Sequence, residues 1–255
     1  MPHGLPVKVS ILTAVHDKPL EVWDKVLTSL SYQQADEVVI VHDRAPQAIL
    51  ERSAAIPGVV PVNLAGPKGW RSPCVSFNAG LAKVTGDVVL VSHSDIVQAP
   101  GNVERLRGHF SEHPDSVLFG TVVESNPEKL IGAGNAGTIL MGTQNPRPLT
   151  WSMATKVESL RGISGWDEAY MQGVCYEDDD LTARLWKSGL DFHFNDDFLA
   201  IHETHDRAYF NSFRTLPNMT TFVNRYGCQS AHDYVRRSKP IVENGIPGRL
   251  VWKHA

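Results

Sequence analysis

Glu177-Asp178-Asp179-Asp180 is the densest concentration of chemical groups in the sequence. The four acids fall in the first turn of a helix expected over Tyr176 to Gly189. A helix N-terminus favours carboxylates through its dipole and its free N–H groups, so one or two acids there need no further reason. Four adjacent acids repel one another unless some face a cation or a polar substrate. The helix field also helps hold a carboxylate ionised, as a general base requires. A second group, His93-Ser94-Asp95, follows directly on an expected strand. Asp95 is a hard oxygen donor suited to Mg²⁺ or Mn²⁺, although Ser-Asp after a strand is also an ordinary helix start. A third is His202-Glu203-Thr204-His205. An imidazole pair three apart can share a metal, or can be two surface rings in a chain with 11 histidines. Together, Asp95, one or two imidazoles and the acid-rich helix start at Asp178 suit a divalent metal holding a diphosphate, with a base nearby.

These groups need a scaffold, and the first half of the chain supplies an alternating one. Strands are expected over Val7 to Val15, Glu37 to Val41, Val59 to Leu64 and Asp87 to Val91. Helices are expected from Pro19 through Leu30, over Ala48 to Ala55, and over Val75 to Val84. Short apolar strands separated by helices indicate βαβ units and a parallel sheet. Right-handed crossovers put the strand C-termini on one edge, where ligands bind in open α/β sheets. The second half is less regular. Ser116 to Val123 reads as a strand and Phe198 to Ile201 as a short one. Gly132 to Pro148 reads as a Gly- and Pro-bearing loop. Asn211 to Arg237 carries apolar residues at helical spacing, interrupted by Pro217.

The chain has 255 residues, 42% hydrophobic and 20% charged, so it can build a sizeable core and is not globally disordered. No apolar run approaches the ~20 residues of a membrane helix. No secretory signal is visible between Met1 and Val15. Three scattered cysteines argue against a disulfide scaffold or thiolate zinc site and suit a cytoplasmic setting. The net charge of -4 is unevenly placed. From Asp206 to Ala255 there are eight Lys/Arg against three Asp/Glu. That basic stretch, with aromatics interleaved, is either an amphipathic helical face closing the core or a surface for an anionic acceptor. Such an acceptor would be a phospholipid-linked glycan, an acidic polysaccharide or a nucleic acid.

The ordered motifs resemble a known family. Val9 to Val15, Glu37 to Asp43, Ser76-Phe-Asn-Ala-Gly80 and Gly86 to Asp95 are similar to the nucleotide-sugar half of inverting GT-A glycosyltransferases of the family-2 type. Gly165-Trp-Asp-Glu168 and Glu177 to Arg184 resemble the acceptor-side motif. The acid run, with a metal-ligand pair some 25 residues on, is also similar to β-1,4-galactosyltransferases. The resemblance covers about residues 7 to 210. It implies a GT-A, Rossmann-like α/β fold with a mostly parallel sheet flanked by helices and a helical C-terminal tail. It divides the chain into a catalytic domain 1–205 (nucleotide-sugar half 1–98, acceptor half 99–205) and a helical extension 206–255 packed on it.

The resemblance also implies roles. Asp43 would contact the nucleobase, with Thr13 and Val15 lining its pocket. Arg71 would reach the diphosphate, near the helix that carries Asn78 of the nucleotide-side motif. Asp95, His202 and His205 would hold Mn²⁺ or Mg²⁺. Asp178 would be the base, Glu177 and Asp179 would orient the acceptor sugar, and Trp166 would stack on it. His93 departs from the pattern, standing where D-x-D has its first acid. The implied activity is metal-dependent, inverting transfer of a sugar from a UDP-linked donor to an acceptor hydroxyl. Two other readings compete. A sugar nucleotidyltransferase would carry a Gly-rich loop after the first strand, and Thr13 to Lys18 has no Gly. A non-catalytic nucleotide- or glycan-binding module fits poorly with an intact acid run.

Overall fold

The computed structural model describes residues 7–66, 72–126, 139–204 and 212–254. Strands β1 (Val9–Val15), β2 (Glu37–Asp43), β3 (Val59–Leu64) and β4 (Val88–Ser92) form where the apolar runs place them. They pair in parallel in the order β3-β2-β1-β4. Each run is apolar on both faces because both faces are covered. Val38 and Ile40 of β2 enter one core with Val88 and Leu90 of β4, while Val39, Val41, Val89 and Val91 enter the other. Period-two alternation between two cores yields an unbroken hydrophobic stretch.

Helix α1 (Leu20–Ser31) buries Val22, Trp23, Val26, Leu27 and Leu30, the helical spacing of its sequence. Its Trp23 shares a core with Phe110 of α4 (Asn102–Glu112). Helix α2 (Gln47–Ala54) links β2 to β3. On the opposite face lie α3 (Cys74–Leu81), α5 (Val157–Gly162) and α6 (Glu177–Lys187), with Phe77, Leu160, Leu181 and Leu185 in one core. Helix α3 sits very close to the sheet at Gly80: a Cβ there would lie 2.3 Å from Leu12 Cδ1. The expected α/β architecture with a parallel central sheet is therefore present.

Beyond β4 the sheet turns mixed. β8 (Ser152–Lys156) runs antiparallel to β4, and β6 (Ser116–Glu124) antiparallel to β8. β9 (Asp191–His202) lies parallel to β6. β5 (Ile96–Gln98) and β7 (Ile139–Met141) pair with the ends of β9 and β6. β8 is short and partly polar, so no strand was expected there. β9 is much longer than the stretch expected over Phe198 to Ile201. Phe192 and Phe194 alternate inward from its start, a period-two signal among polar residues. β7 falls in the stretch expected to be loop.

The C-terminal segment is helical at α7 (Ser212–Tyr226), which continues through Pro217, and at α8 (Ala231–Arg237). It then adds β10 (Ile241–Glu243) and β11 (Arg249–Lys253), which pairs with β9. The tail is thus helix followed by strand, and it completes the same 11-stranded sheet. Phe222 is buried and Tyr226 packs against the core, as an amphipathic closing helix requires. Part of the basic excess is bound internally. Arg225 pairs with Asp167 and Asp180, and Lys253 with Glu243. Among the described residues no helix is long and apolar enough to cross a membrane.

At the opposite edge from the β4 and β9 C-termini, His109 of α4 and His113, just past its end, meet His193 of β9, with ring centroids 4.8–5.1 Å apart. His113 and His193 line a cavity with Asp115, Ser116, Asp191 and Lys253. Burial first, then the neighbouring His193, His113 and Arg249, lowers His109 to about 3. Burial, His113 and Lys253 lower His193 to about 4, against a smaller opposing effect of Glu243. An imidazole whose folded pKa lies below its unfolded value near 6.5 contributes stability that is complete above that value. The contribution is lost as pH falls, because the unfolded chain takes the proton first. Buried acids elsewhere act with the opposite sign, so the informative quantity is a difference. Urea unfolding between pH 7 and 4 should show a shallower acid loss of stability for His193→Gln than for the parent. Parallel curves would show that His193 is not held neutral.

Candidate active site

The four-acid run enters the site through an unusual turn. Cys175 and Tyr176 both have positive φ, +65° and +69°, a left-handed pair that non-glycine residues seldom adopt. It reverses the chain and aims the first turn of α6 inward. Three of the four acids, Glu177, Asp178 and Asp180, are buried.

Each acid has a different task. Asp180 is fully buried. It accepts from Arg184 Nε at 2.6 Å, Arg225 Nη1 at 2.6 Å and Tyr226 Oη at 2.9 Å. It binds α6 to α7 and is structural. Asp179 Oδ1 accepts from the Ala231 N–H at 2.7 Å, at the start of α8. Burial, and then the charge of Asp178, raises Asp179 to about 6 against the lowering effect of that hydrogen bond. Glu177 is buried with Oε2 unpartnered, and burial followed by Asp178's charge raises it well above the usual carboxylate range. Asp178 Oδ1 accepts from Thr150 Oγ1. The same Thr150 oxygen lies 3.0 Å from His93 Nε2. Since the hydroxyl donates to Asp178, His93 Nε2–H must donate to the hydroxyl. The imidazole that stands where D-x-D has its first acid is therefore turned toward Asp178, and its ring centroid lies 5.3 Å from that of Phe77.

Two residues further on, Asp95 faces another way. Its Oδ2 lies 2.6 Å from Lys18 Nζ and 3.9 Å from His202 Nε2. Lys18 belongs to the β1–α1 turn, which β1–β4 pairing places beside Asp95. His202 ends β9 and pairs with Ile96, the first residue of β5. The other nitrogen of His202, Nδ1, is held 2.9 Å from Glu124 Oε2, and Glu124 also accepts from Thr204 Oγ1. Carboxylate on one imidazole nitrogen leaves the other available as a lone-pair donor, the usual outer partner of a metal-ligating histidine. An Asp oxygen and an imidazole nitrogen 3.9 Å apart can share one cation at roughly 2.1 Å from each. The donor chemistry thus fits a divalent ion at Asp95 and His202, although no three such ligands converge among the described residues. His205 and Arg71 lie outside the described residues.

Several expected binding residues are placed differently. Trp166 is 1% exposed and stacks on Phe77 with ring centroids 4.8 Å apart, so its ring is core and no face is open to a sugar. The partly exposed tryptophan here is Trp151, against His202 at 5.8 Å. Asn78 uses its amide on the Trp166 backbone, donating to the carbonyl and accepting from the N–H at 2.8 Å each. Its role is to clip α3 to the Gly165 turn, where φ is +65° and a Cβ would lie 2.4 Å from Asn78 Oδ1. Thr13 and Val15 have no accessible surface, because alternation along β1 turns Val15 into the core with Trp23. Asp43 is held at the end of β2, accepting from Ser76 Oγ at 2.8 Å and Arg44 Nε at 3.1 Å. Sequence reading missed Thr150, Glu124, Lys18 and Trp151. Each is a single residue in a weakly patterned stretch, and only the fold brings it to the site.

Solved structures share the fold. A mannosyltransferase from Pyrobaculum calidifontis, solved with GDP-Man and Mn²⁺, matches with TM-score 0.61 and 14% identity over 86% of this chain. TarS of S. aureus matches with TM-score 0.61 and 16% identity over 91% of this chain. TarS 1–349 in complex with UDP gives 0.60 and 17% over 90%. The chain spans 65% of the mannosyltransferase and 42% of TarS, and 69% of the shorter TarS form. No curated protein matches the sequence. The fold is GT-A-like, a mixed sheet with a parallel core and flanking helices. The profile of the family described as "Glycosyl transferase family 2" matches residues 10–164, more than half the chain and including the β4–β5 turn that divides the two charged groups. The chain belongs to glycosyl transferase family 2.

Proposed function

We propose that this protein transfers a hexosyl group from a UDP-linked sugar to an acceptor hydroxyl, with inversion at the anomeric carbon and a divalent metal at the diphosphate. The observation that supports this best is the placement of Asp178. It is a buried carboxylate, oriented by Thr150 and His93, two residues along the chain from the Asp95 that faces His202. A base on α6, reached through Thr150 by His93 of the β4–β5 turn, and a cation-binding group on that same turn suit an in-line displacement.

Asp178 takes the proton of the acceptor hydroxyl as its oxygen attacks the anomeric carbon. The sugar–diphosphate bond breaks on the opposite side, which inverts the centre. A divalent ion at Asp95 and His202, when bound, neutralises the charge that builds on the departing diphosphate. Glu177, kept protonated by burial beside Asp178, can donate a hydrogen bond to an acceptor oxygen. Trp151 supplies the accessible aromatic face at the site. Asp43 and its Ser76 and Arg44 partners form the nucleobase end. The basic face of 206–255 suits an anionic acceptor such as a phospholipid-linked glycan, an acidic polysaccharide or a nucleic acid.

Thermal-shift measurements with UDP, GDP and CDP, each with and without Mn²⁺, test the donor assignment. UDP with Mn²⁺ should raise the melting temperature most, and a flat response to all three would sink the nucleotide-sugar reading. Asp95→Ala should remove the Mn²⁺-dependent part of UDP binding in calorimetry. A variant that binds UDP–Mn²⁺ like the parent would move the metal elsewhere. Asp178→Asn keeps the shape but cannot accept the proton. Turnover, followed as UDP release from UDP-hexoses with glycan acceptors, should fall about 10²–10⁴-fold with UDP affinity little changed. Undiminished turnover would assign the base to another acid.

A further inference from the structure

The cation side of the site has an uneven composition. The turn that in a D-x-D motif offers two acids here offers one, because His93 faces Thr150 and the base. Asp95 is left as the sole carboxylate of that turn, and its Oδ2 already has a cation at 2.6 Å, the ammonium of Lys18. Both side chains are only 15% exposed, so solvent screens the pair weakly. His202 Nε2 faces the same oxygen from 3.9 Å. A divalent ion bound by Asp95 and His202 would have to share Oδ2 with an ammonium or displace it. Two cations on one carboxylate oxygen repel each other strongly at short range, even at an effective dielectric of about 20.

We propose that Lys18 is a built-in competitor of the metal at Asp95 and a charge donor to the diphosphate. With no metal bound, its ammonium neutralises Asp95. When a divalent ion takes Asp95 and His202, the ammonium is displaced from Oδ2 but stays tethered in the β1–α1 turn, at the sheet edge where α/β folds hold phosphates. There it meets the negative charge of the donor. With no metal present the same ammonium cancels the charge of Asp95 that would repel a diphosphate, so one residue lowers the affinity for free metal and raises the affinity for a metal-free nucleoside diphosphate. Lys18 is a positioning residue for the metal and a binding residue for the donor.

The diphosphate half of this inference rests on the nucleotide-sugar reading above; the metal half does not. The two are separated by two titrations of the parent, Lys18→Met and Lys18→Arg. In the first, Mn²⁺ alone is added and free Mn²⁺ is followed by electron paramagnetic resonance. Lys18→Met should bind Mn²⁺ about tenfold more tightly than the parent, the effect of removing ~1.4 kcal/mol of competing interaction, and Lys18→Arg should stay close to the parent. In the second, UDP is titrated calorimetrically in EDTA. Lys18→Met should bind about tenfold more weakly, and Lys18→Arg should retain most of the affinity. Opposite movements in the two titrations are a signature that loss of local structure cannot produce, since misfolding weakens both. Equal Mn²⁺ affinity in parent and Lys18→Met would overturn the competition. Unchanged UDP affinity in EDTA would overturn the donor contact. Failure of every protein to bind UDP, with or without Mn²⁺, would instead overturn the nucleotide-sugar reading and leave the Mn²⁺ result standing.

Discussion

The whole site depends on a single short turn, His93-Ser94-Asp95, pinned between β4 and β5. β4 is held on both sides, by β1 and by β8, and β5 is held by β9. The turn has almost no freedom, so its side chains must diverge. His93 is directed to Thr150, just ahead of β8, and through it to Asp178. Asp95 is directed to the end of β9 and the β1–α1 turn. A displacement of β4 against its neighbours would move Asp95 and, through His93 and Thr150, disturb the orientation of Asp178. The relation of the two carboxylates thus depends on sheet hydrogen bonding on one side and on the seating of α6 on the other.

The second constraint is electrostatic. Four consecutive acids at one helix start are tolerated because the structure disposes of them separately. Asp180 is neutralised by two arginines and a tyrosine, and Asp179 accepts a backbone N–H. Burial, followed by the charge of Asp178, pushes Glu177 well above the usual carboxylate range. Asp178 is left as the acid whose visible partner is a hydroxyl, a neutral group that orients without supplying a proton acceptor's rival cation. The same logic explains why Cys74 carries no chemistry. Burial raises its thiol to about 12, with Glu177 and Asp178 adding to the effect, so it stays a neutral packing group.

The legible parts of the sequence were those with strong local period or composition. The parallel core could be read because β1, β2 and β4 are buried on both faces and so appear as unbroken apolar runs. The acid run could be read because its density exceeds what helix capping explains. Asn78 and Trp166 were legible as a pattern, while their bracing contacts were not. Both serve the packing of α3 against the Gly165 turn, and a motif shared with binding proteins does not distinguish a residue that binds from one that braces the binder. Thr13 and Val15 failed for a geometric reason, since which face of β1 looks into a pocket depends on layers the strand itself does not encode. β8 and the start of β9 were missed because their partners lie 30 to 80 residues away and their own residues are mixed in polarity, and β7 because it is only three residues long within a Gly- and Pro-bearing stretch. Thr150, Glu124 and Lys18 had no signal at all. A lone Thr, Glu or Lys acquires meaning only from what the fold sets opposite it.

The C-terminal segment is bound into this arrangement more tightly than a simple extension would be. Asp179 holds the first residue of α8, and Asp180 holds Arg225 and Tyr226 of α7. Asn218 of α7 donates to the carbonyls of Tyr170 and Cys175, on the turn that aims the acids inward. The left-handed pair at Cys175 and Tyr176 is an unfavourable local conformation, and contacts from both sides are what maintain it. Two of the four acids therefore act on the tail, and the tail in turn fixes the direction of the other two. Since Asp178 lies in the first turn of α6, whatever shapes α7 and α8 also shapes the surroundings of that carboxylate. Divergence in the last fifty residues is thus a physically direct route to changing those surroundings, with the β4–β5 turn left as it is.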